Sequence, residues 1–224
     1  NLTMFTLYLA CYNLPMKNII FDWSGVVRDT VTNQIWIVNN IFKRYGVREI
    51  SVEEFREHWA QPVALFYQKY LPEGYNEEDR TKLFQELQLN KDCPKATAFS
   101  GVVKFIQKCK ESGYFLAVVS SDYPETLLPE VKEYGLENIF SEIITDANDK
   151  LEPVQKIIID NDLNLQDTYF VGDSNHETDV AKKVGIKSIA VTWGFTSEQK
   201  LRASTPDYIA TNPQELEDLI LDNK

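Results

Sequence analysis

The sequence predicts an α/β fold in which an open parallel β-sheet carries a helical insertion after its first strand. Short apolar runs alternate with amphipathic stretches, a pattern typical of parallel strands joined by right-handed helical crossovers. One long interval after the first run shows only helical periodicity, which predicts an inserted helical unit. Two apolar runs end in an aspartate, and the carboxyl ends of strands in parallel sheets are where ligands bind.

The predicted strands cover residues 17–21, 115–119, 142–145, 168–171, 187–191 and 208–210. Amphipathic stretches predict helices between them over residues 102–111, 125–134, 154–161 and 178–184. Three glycines follow predicted helices at the position where glycine commonly ends a helix: Gly113, Gly135 and Gly185. The alternation therefore extends along the chain on both sides of the insertion.

The insertion is predicted to contain helices over residues 32–45, 52–70 and 77–89 and no convincing strand. Ser51, with Glu54 three residues later, has the pattern of a capping box at the start of the second of these helices. Two linkers, near residues 28–31 and 94–100, would hinge the unit to the sheet, and its closure over a site would exclude water. The predicted domains are an α/β core of residues 16–30 and 95–224 and a helical unit of residues 31–94.

Composition excludes several classes of function for this chain of 224 residues and net charge −11. Lysines and arginines are scattered, so no nucleic-acid-binding surface is indicated, and no segment is long and apolar enough to span a membrane. The cysteines, Cys11, Cys93 and Cys109, lack disulfide or metal-binding spacing, which favours reduced thiols in a cytoplasmic protein. Residues 1–15 make a poor signal peptide, because no basic residue precedes their apolar run. They are interpreted as an N-terminal extension, because Met16 and Lys17, directly before the first predicted strand, have the pattern of a natural start.

Carboxylates follow two of the apolar runs. Asp22 ends the first run, and Gly25 follows three residues later, which indicates a tight loop after a buried strand. Asp173 ends a downstream run, and Glu177 follows four residues later. If both strands deliver their carboxylates to one edge of the sheet, the site suits a hard divalent cation and chemistry at an aspartate.

Four motifs in order make the chain resemble the haloacid dehalogenase superfamily of hydrolases, in its phosphoglycolate-phosphatase-like branch. They are Asp-Trp-Ser-Gly at residues 22–25, Ala-Val-Val-Ser-Ser at residues 117–121, Lys-Leu-Glu-Pro at residues 150–153, and Val-Gly-Asp at residues 171–173 with Glu177. The resemblance runs from about residue 17 to the C-terminus. It implies a Rossmann-like parallel sheet core with a small all-helical cap domain inserted after the first strand.

The resemblance also implies a role for each motif residue. Asp22 would be the nucleophile that takes the phosphoryl group, and Lys150 would neutralise Asp22 and the phosphoryl oxygens. Ser120 and Ser121 would bind phosphate together with Lys150, through the Ser120 hydroxyl and the backbone N–H groups that follow it. Such N–H groups at the start of a helix readily bind phosphate. The Mg²⁺ ligands would be Asp22, Ser24 through its backbone carbonyl, Asp173 and Glu177.

Two positions depart from the family pattern. The family usually has aspartate where this chain has Glu177; Asp179 is an alternative metal carboxylate, but the register of the motif favours Glu177. Ser24 stands where phosphatases of the family have an aspartate that protonates the leaving oxygen and then activates water. Serine cannot do this at neutral pH, and general acid–base catalysis contributes about 10²–10⁴-fold.

The favoured hypothesis is a Mg²⁺-dependent, cytoplasmic phosphohydrolase that acts on a small phosphorylated metabolite, a phosphomonoester, through a phosphoaspartate at Asp22. One alternative is a phosphonatase or dehalogenase on the same scaffold; the former would need a lysine such as Lys43 or Lys69, and the latter would need no metal. The other alternative is a weakly active protein that binds a phosphate ligand, because Ser24 replaces the general acid–base group.

Overall fold

The computed structural model of the chain describes residues 16–60 and 63–221. The N-terminal extension predicted over residues 1–15, together with Cys11, lies outside the described residues. Within them, no helix is both long enough and apolar enough to cross a bilayer.

The predicted parallel sheet is confirmed. Within the described residues, six strands form one sheet: β1 (Asn18–Phe21), β4 (Phe115–Val119), β5 (Glu142–Ile144), β6 (Thr168–Gly172), β7 (Lys187–Val191) and β8 (Tyr208–Ala210). They pair in the order β5-β4-β1-β6-β7-β8, and every pair is parallel. Because β1 lies between β4 and β6, the segments that follow these three strands meet at one edge of the sheet.

Helices cover both faces of the sheet and connect its strands. They are α5 (Ser100–Glu111), α6 (Pro124–Glu133), α7 (Leu151–Asp160), α8 (Asn175–Val184), α9 (Glu198–Ala203) and α10 (Pro213–Leu221). Successive residues of β1 point to opposite faces: Ile19 and Phe21 pack in one apolar cluster, and Ile20 packs in the other. Burial on both faces explains why the strand is continuously apolar.

In the part of this segment that the structure describes, residues 30–60 and 63–96, four helices lie between β2 (Arg28–Asp29) and β3 (Thr97–Ala98). They are α1 (Val31–Arg44), α2 (Val52–His58), α3 (Ala64–Gln68) and α4 (Glu77–Gln88). They enclose an apolar cluster of their own that includes Ile37, Phe42, Phe55 and Phe66. The Oγ atom of Ser51 accepts a hydrogen bond from the Glu54 N–H, as the capping pattern predicts.

The prediction of one helix over residues 52–70 is wrong, because two shorter helices occupy this stretch. The first ends at His58, and Trp59 has extended backbone angles (φ −52°, ψ 133°). In the sequence, Pro62 comes three residues after Trp59. Proline has no backbone N–H, so it cannot donate the hydrogen bond that a continuous helix would need at this position. Both halves carry apolar residues at helical spacing, so periodicity alone did not reveal the break.

The two linkers of the insertion pair with each other. Strands β2 and β3 form a short antiparallel ladder in which Arg28 lies opposite Ala98 and Asp29 opposite Thr97. Arg56 of α2 joins the insertion to the sheet edge, donating hydrogen bonds of 2.8 Å to the carbonyls of Trp193 and Gly194. The insertion is therefore held at the same edge of the sheet as Asp22 and Asp173.

Candidate active site

Four charged side chains, called here the inner cluster, meet at the carboxyl edge of the sheet: Asp22, Lys150, Asp173 and Glu177. Asp22 follows β1, Asp173 follows β6, Lys150 immediately precedes α7, and Glu177 lies in the first turn of α8. All four are buried, with exposed fractions between 2% and 7%. The Nζ atom of Lys150 lies 2.9 Å from Asp22 Oδ1 and 2.7 Å from Glu177 Oε1, so one cation bridges two carboxylates.

Burial and the neighbouring charges shift the pKa values of the carboxyl groups in the inner cluster. Burial raises the pKa of Asp22 to about 7, with Glu177 adding to the rise and Lys150 opposing it. Burial also raises the pKa of Asp173 well above its usual value, reinforced by the charges of Asp22 and Glu177. Burial likewise disfavours the charged form of Glu177, but Lys150 outweighs it and holds the pKa of this carboxyl below its usual value.

The donor set of the inner cluster fits a hard divalent cation. Carboxylate oxygens of Asp22, Asp173 and Glu177 lie within 4.8 Å of one another, and oxygen ligands of this kind are those that Mg²⁺ prefers. Three buried carboxylates face a single ammonium group, so an added cation would relieve the remaining negative charge. These three residues could hold such an ion.

Asp173 is held in place by the backbone around it. Its Oδ2 atom accepts a 2.7 Å hydrogen bond from the N–H of Phe195. A Cβ atom at Gly25 or at Gly194 would lie 2.1 Å from the same oxygen, and Gly25 has a φ of +83°. Both glycines therefore allow the backbone to approach this carboxylate more closely than any other residue would permit.

A capping box positions Glu177. The backbone N–H and the hydroxyl of Ser174 donate to its Oε2 atom over 3.1 and 2.7 Å, and the Ser174 hydroxyl in turn accepts from the N–H of His176. Cap geometry thus turns Glu177 toward Lys150, whereas Asp179 is exposed to solvent. The structure brings Glu177, and not Asp179, to the other carboxylates.

A second group of polar side chains, called here the outer network, lies beside the inner cluster: Ser24, Arg28, Ser120, Asp122 and Glu130. The hydroxyls of Ser24 and Ser120 both donate to Asp122 Oδ2, over 2.7 and 2.9 Å. Arg28 lies 3.7 Å from Asp122 Oδ1 and 2.9 Å from Glu130. The Asp122 side chain is 20% exposed, so the network reaches solvent where the inner cluster does not.

The structure places the predicted site residues in three different positions relative to the inner cluster. Asp22, Lys150, Asp173 and Glu177 come together as the motifs indicate. Ser24 and Ser120 lie beside them, but both hydroxyl protons are directed to Asp122. Ser121 is exposed to solvent.

The motif analysis missed Asp122 and Arg28. Asp122 comes two residues after Ser120, and Arg28 comes four residues after Ser24. The available signal was a carboxylate next to the second motif in a chain that lacks one at position 24. Only the pairing of β1 with β4 places these segments side by side.

Relatives with named activities align over nearly their whole length. A phosphoglycolate phosphatase of Synechococcus elongatus is 24% identical over 207 residues, which cover 90% of this chain and 95% of the relative. A pyrophosphatase, PpaX, of Bacillus mycoides is 26% identical over 218 residues, which cover 91% of this chain and 96% of the relative. The chain is thus similar to two kinds of phosphatase at low identity.

Solved structures share the fold. A haloacid dehalogenase-like hydrolase from Streptococcus pneumoniae has a TM-score of 0.74 and 20% identity, with 90% of this chain and 96% of the other covered. A predicted phosphoglycolate phosphatase from Haemophilus somnus has a TM-score of 0.72 and 20% identity, with 95% and 100% covered. The family model described as haloacid dehalogenase-like hydrolase matches residues 19–191, which is most of the chain. The chain therefore belongs to the haloacid dehalogenase-like hydrolase family.

Proposed function

We propose that the chain is a Mg²⁺-dependent phosphohydrolase that acts on a small phosphomonoester through a phosphoaspartate at Asp22. The observation that carries this proposal is the inner cluster, in which Lys150 bridges Asp22 and Glu177 while Asp173 completes a set of three carboxylates. A nucleophilic carboxylate, a fixed cation and a set of oxygen ligands for a metal are the parts that phosphoryl transfer requires.

Each residue of the cluster has a distinct role in the proposed reaction. Asp22 attacks phosphorus, and the P–O bond to the leaving group breaks as the bond to the Asp22 oxygen forms. Lys150 orients Asp22 and neutralises charge on the phosphoryl oxygens. Asp22, Asp173 and Glu177, with the backbone carbonyl of Ser24, would hold Mg²⁺, which when bound supplies further neutralisation of that charge. Water then hydrolyses the phosphoaspartate.

Several observations support a small phosphorylated metabolite as the substrate. The relatives at 24% and 26% identity are named for phosphoglycolate phosphatase and pyrophosphatase activities. The hydrogen bonds of Arg56 to the sheet edge support a cap domain of residues 31–94 that would cover the site.

The proposed location of the protein is the cytoplasm. This proposal is supported by Cys93 and Cys109, which are free and buried.

The test is the substitution Asp22→Asn. It removes the nucleophile but keeps the size of the side chain, so phosphate release from an aryl phosphate with Mg²⁺ should fall by about 10⁴-fold or more. Asp179→Asn, the same change at the exposed aspartate, should leave the rate unchanged. Thermal unfolding of each variant shows whether the fold survives.

Trapping gives the second readout. Acid quenching of the wild-type enzyme during turnover should yield protein that has gained one phosphoryl group, located on Asp22 by peptide mass analysis. A folded Asp22→Asn variant with near-normal turnover, or a phosphoryl group on another residue, would overturn the assignment of the nucleophile.

A further inference from the structure

We propose that Asp122, acting through the Ser24 hydroxyl, is the proton acceptor for hydrolysis of the phosphoaspartate, and this inference rests on the proposed function. The carboxylate missing from position 24 is thereby supplied from the loop after β4. The two positions are 98 residues apart in sequence, yet Ser24 Oγ and Asp122 Oδ2 are 2.7 Å apart.

The contacts of Asp122 are those of an acceptor. Both hydroxyls that touch it, from Ser24 and Ser120, donate their protons to Oδ2. Its own backbone N–H donates to Ser120 Oγ over 3.1 Å, which holds the loop that carries it. Arg28 places a positive charge 3.7 Å from Oδ1. Both hydroxyl contacts of this carboxylate are therefore with donors, and Oδ2 is the acceptor that Ser24 and Ser120 share.

Asp122 also lies close enough to Asp22 to take part in proton transfer during the reaction there. Ser24, which touches it, is two residues after Asp22 and is partly exposed at the carboxyl edge of the sheet. The parallel pairing of β1 with β4, in which Phe21 lies opposite Val118, places the segments that carry Asp22 and Asp122 side by side. Asp122 itself remains 20% exposed, so a proton it takes up can leave to solvent.

In the proposed step, one proton of the attacking water reaches Asp122 through the Ser24 hydroxyl. The oxygen of water forms a bond to phosphorus, and the bond between phosphorus and the Asp22 oxygen breaks, leaving its electron pair on Asp22. The water proton moves to Ser24 Oγ while the hydroxyl proton of Ser24 moves to Asp122 Oδ2. The products are inorganic phosphate, the Asp22 carboxylate and a protonated Asp122, which returns its proton to solvent.

The contacts of Asp122 also affect the first step, in which Asp22 attacks phosphorus and the leaving group departs. A carboxylate that accepts two hydroxyl protons and lies beside Arg28 is not arranged to donate a proton to the leaving oxygen. The enzyme should therefore favour substrates whose leaving group departs without protonation. Aryl phosphates, acyl phosphates and phosphoanhydrides belong to that chemical class.

The experiment uses Asp122→Asn with an aryl phosphate and Mg²⁺. Asparagine can still accept the Ser24 hydrogen bond but cannot take up its proton, so this variant separates positioning from proton transfer. The first step should proceed, and hydrolysis of the phosphoaspartate should slow by about 10²–10⁴-fold. The expected result is a burst of one equivalent of aryl alcohol followed by slow turnover, with phosphorylated Asp22 accumulating in acid-quenched samples.

Two further variants keep the test decisive. Asp146→Asn makes the same change at a residue whose N–H donates to the Asp122 carbonyl, and it should show no burst. Ser24→Asp combined with Asp122→Asn returns a carboxylate from the other side of the pair and should restore hydrolysis of the phosphoaspartate, which also shows that the Asp122→Asn change is not merely damaging the fold.

The outcomes separate the two proposals. If wild-type protein forms and hydrolyses the phosphoaspartate and Asp122→Asn hydrolyses it within about threefold of the wild-type rate, the role of Asp122 is overturned and the phosphohydrolase proposal stands. Failure of the double variant to restore hydrolysis would also count against a carboxylate at this place as the proton acceptor. If wild-type protein never becomes phosphorylated, the phosphohydrolase proposal falls and the role of Asp122 falls with it.

Discussion

The inner cluster and the outer network lie side by side at one sheet edge, but they are built differently. The inner cluster is buried and is bridged by one ammonium group, from Lys150. The outer network is partly exposed and is organised around one carboxylate, Asp122, which accepts from two hydroxyls and lies near Arg28. The first group consists of residues that the motif resemblance predicted for the site, whereas the second contains Ser24, where that resemblance led us to expect an aspartate.

This difference separates two parts of one proposed reaction. The groups that would receive the phosphoryl group require a fixed arrangement of charge in a dry site, because electrostatic stabilisation is strongest there. The group that would move protons requires contact with solvent and can be delivered from another strand. A change at position 24 can therefore alter proton transfer while the phosphoryl site keeps its geometry.

The largest expected effect comes from breaking the inner cluster with Lys150→Met. This change leaves the buried carboxylates of Asp22 and Glu177 without their cation, and the loss of one partner of a buried ion pair typically costs about 3–5 kcal/mol. The free energy of unfolding, measured in urea without Mg²⁺, should fall by that amount. Added Mg²⁺ should recover part of the loss, because it supplies the missing positive charge.

The matched control is Lys156→Met in α7, the helix that Lys150 immediately precedes. Lys156 pairs with Asp160, and both side chains are largely exposed, at 65% and 47%. Surface pairs of this kind contribute little to stability, so the free energy of unfolding should barely change. Equal effects of the two substitutions would contradict the view of the inner cluster as a buried, mutually dependent unit.

A smaller effect is expected from Ser24→Asp, which gives the outer network a second carboxylate. The new group can donate a proton to the leaving oxygen, so the hydrolysis of an alkyl phosphate should rise by about 10²-fold, or roughly 2.7 kcal/mol in the barrier. The gain for an aryl phosphate should be smaller, because its leaving group needs no proton. Repulsion from Asp122 keeps the expected gain at the lower end of the range for a placed acid–base group.

Rates measured for both substrates with the same protein preparation give the comparison directly. Ser24→Asn serves as the control, because asparagine has the same size as aspartate but is not an acid and cannot protonate the leaving oxygen. An equal gain for alkyl and aryl substrates, or no gain for either, would show that another group already protonates the leaving oxygen.

The smallest expected effect sharpens the assignment of the metal ligands. At a Mg²⁺ concentration ten times its dissociation constant, a ligand that binds only the folded state should add about 1.4 kcal/mol to the free energy of unfolding. Asp173→Asn should abolish this increment, and Glu177→Gln should reduce it. Asp179→Asn, at an exposed side chain, should leave it intact. A larger loss for Asp179→Asn than for Glu177→Gln would show that the ligand assignment is wrong.

The parallel sheet was predictable because a strand buried on both faces must be apolar throughout, as at β1, and because each such run ends at a polar residue. Helix ends were predictable where one residue controls them: Gly185 has a φ of +87° after α8, as a helix-terminating glycine should. The break between α2 and α3 was not predictable from periodicity. Its sequence signal is Pro62, and the structure shows the helix ending at His58 before the extended backbone of Trp59.

The sequence by itself determined the order of strands and helices, the motif residues Asp22, Lys150, Asp173 and Glu177, and the absence of a carboxylate at position 24. These follow from local patterns of hydrophobicity and residue type, which need no knowledge of distant neighbours. Tertiary structure alone decided that Asp122 meets Ser24, because that contact requires β4 to pair beside β1 across 98 residues of chain. It also decided that Glu177 faces Lys150 while Asp179 faces solvent, since the Ser174 cap sets the rotation of α8 against the sheet.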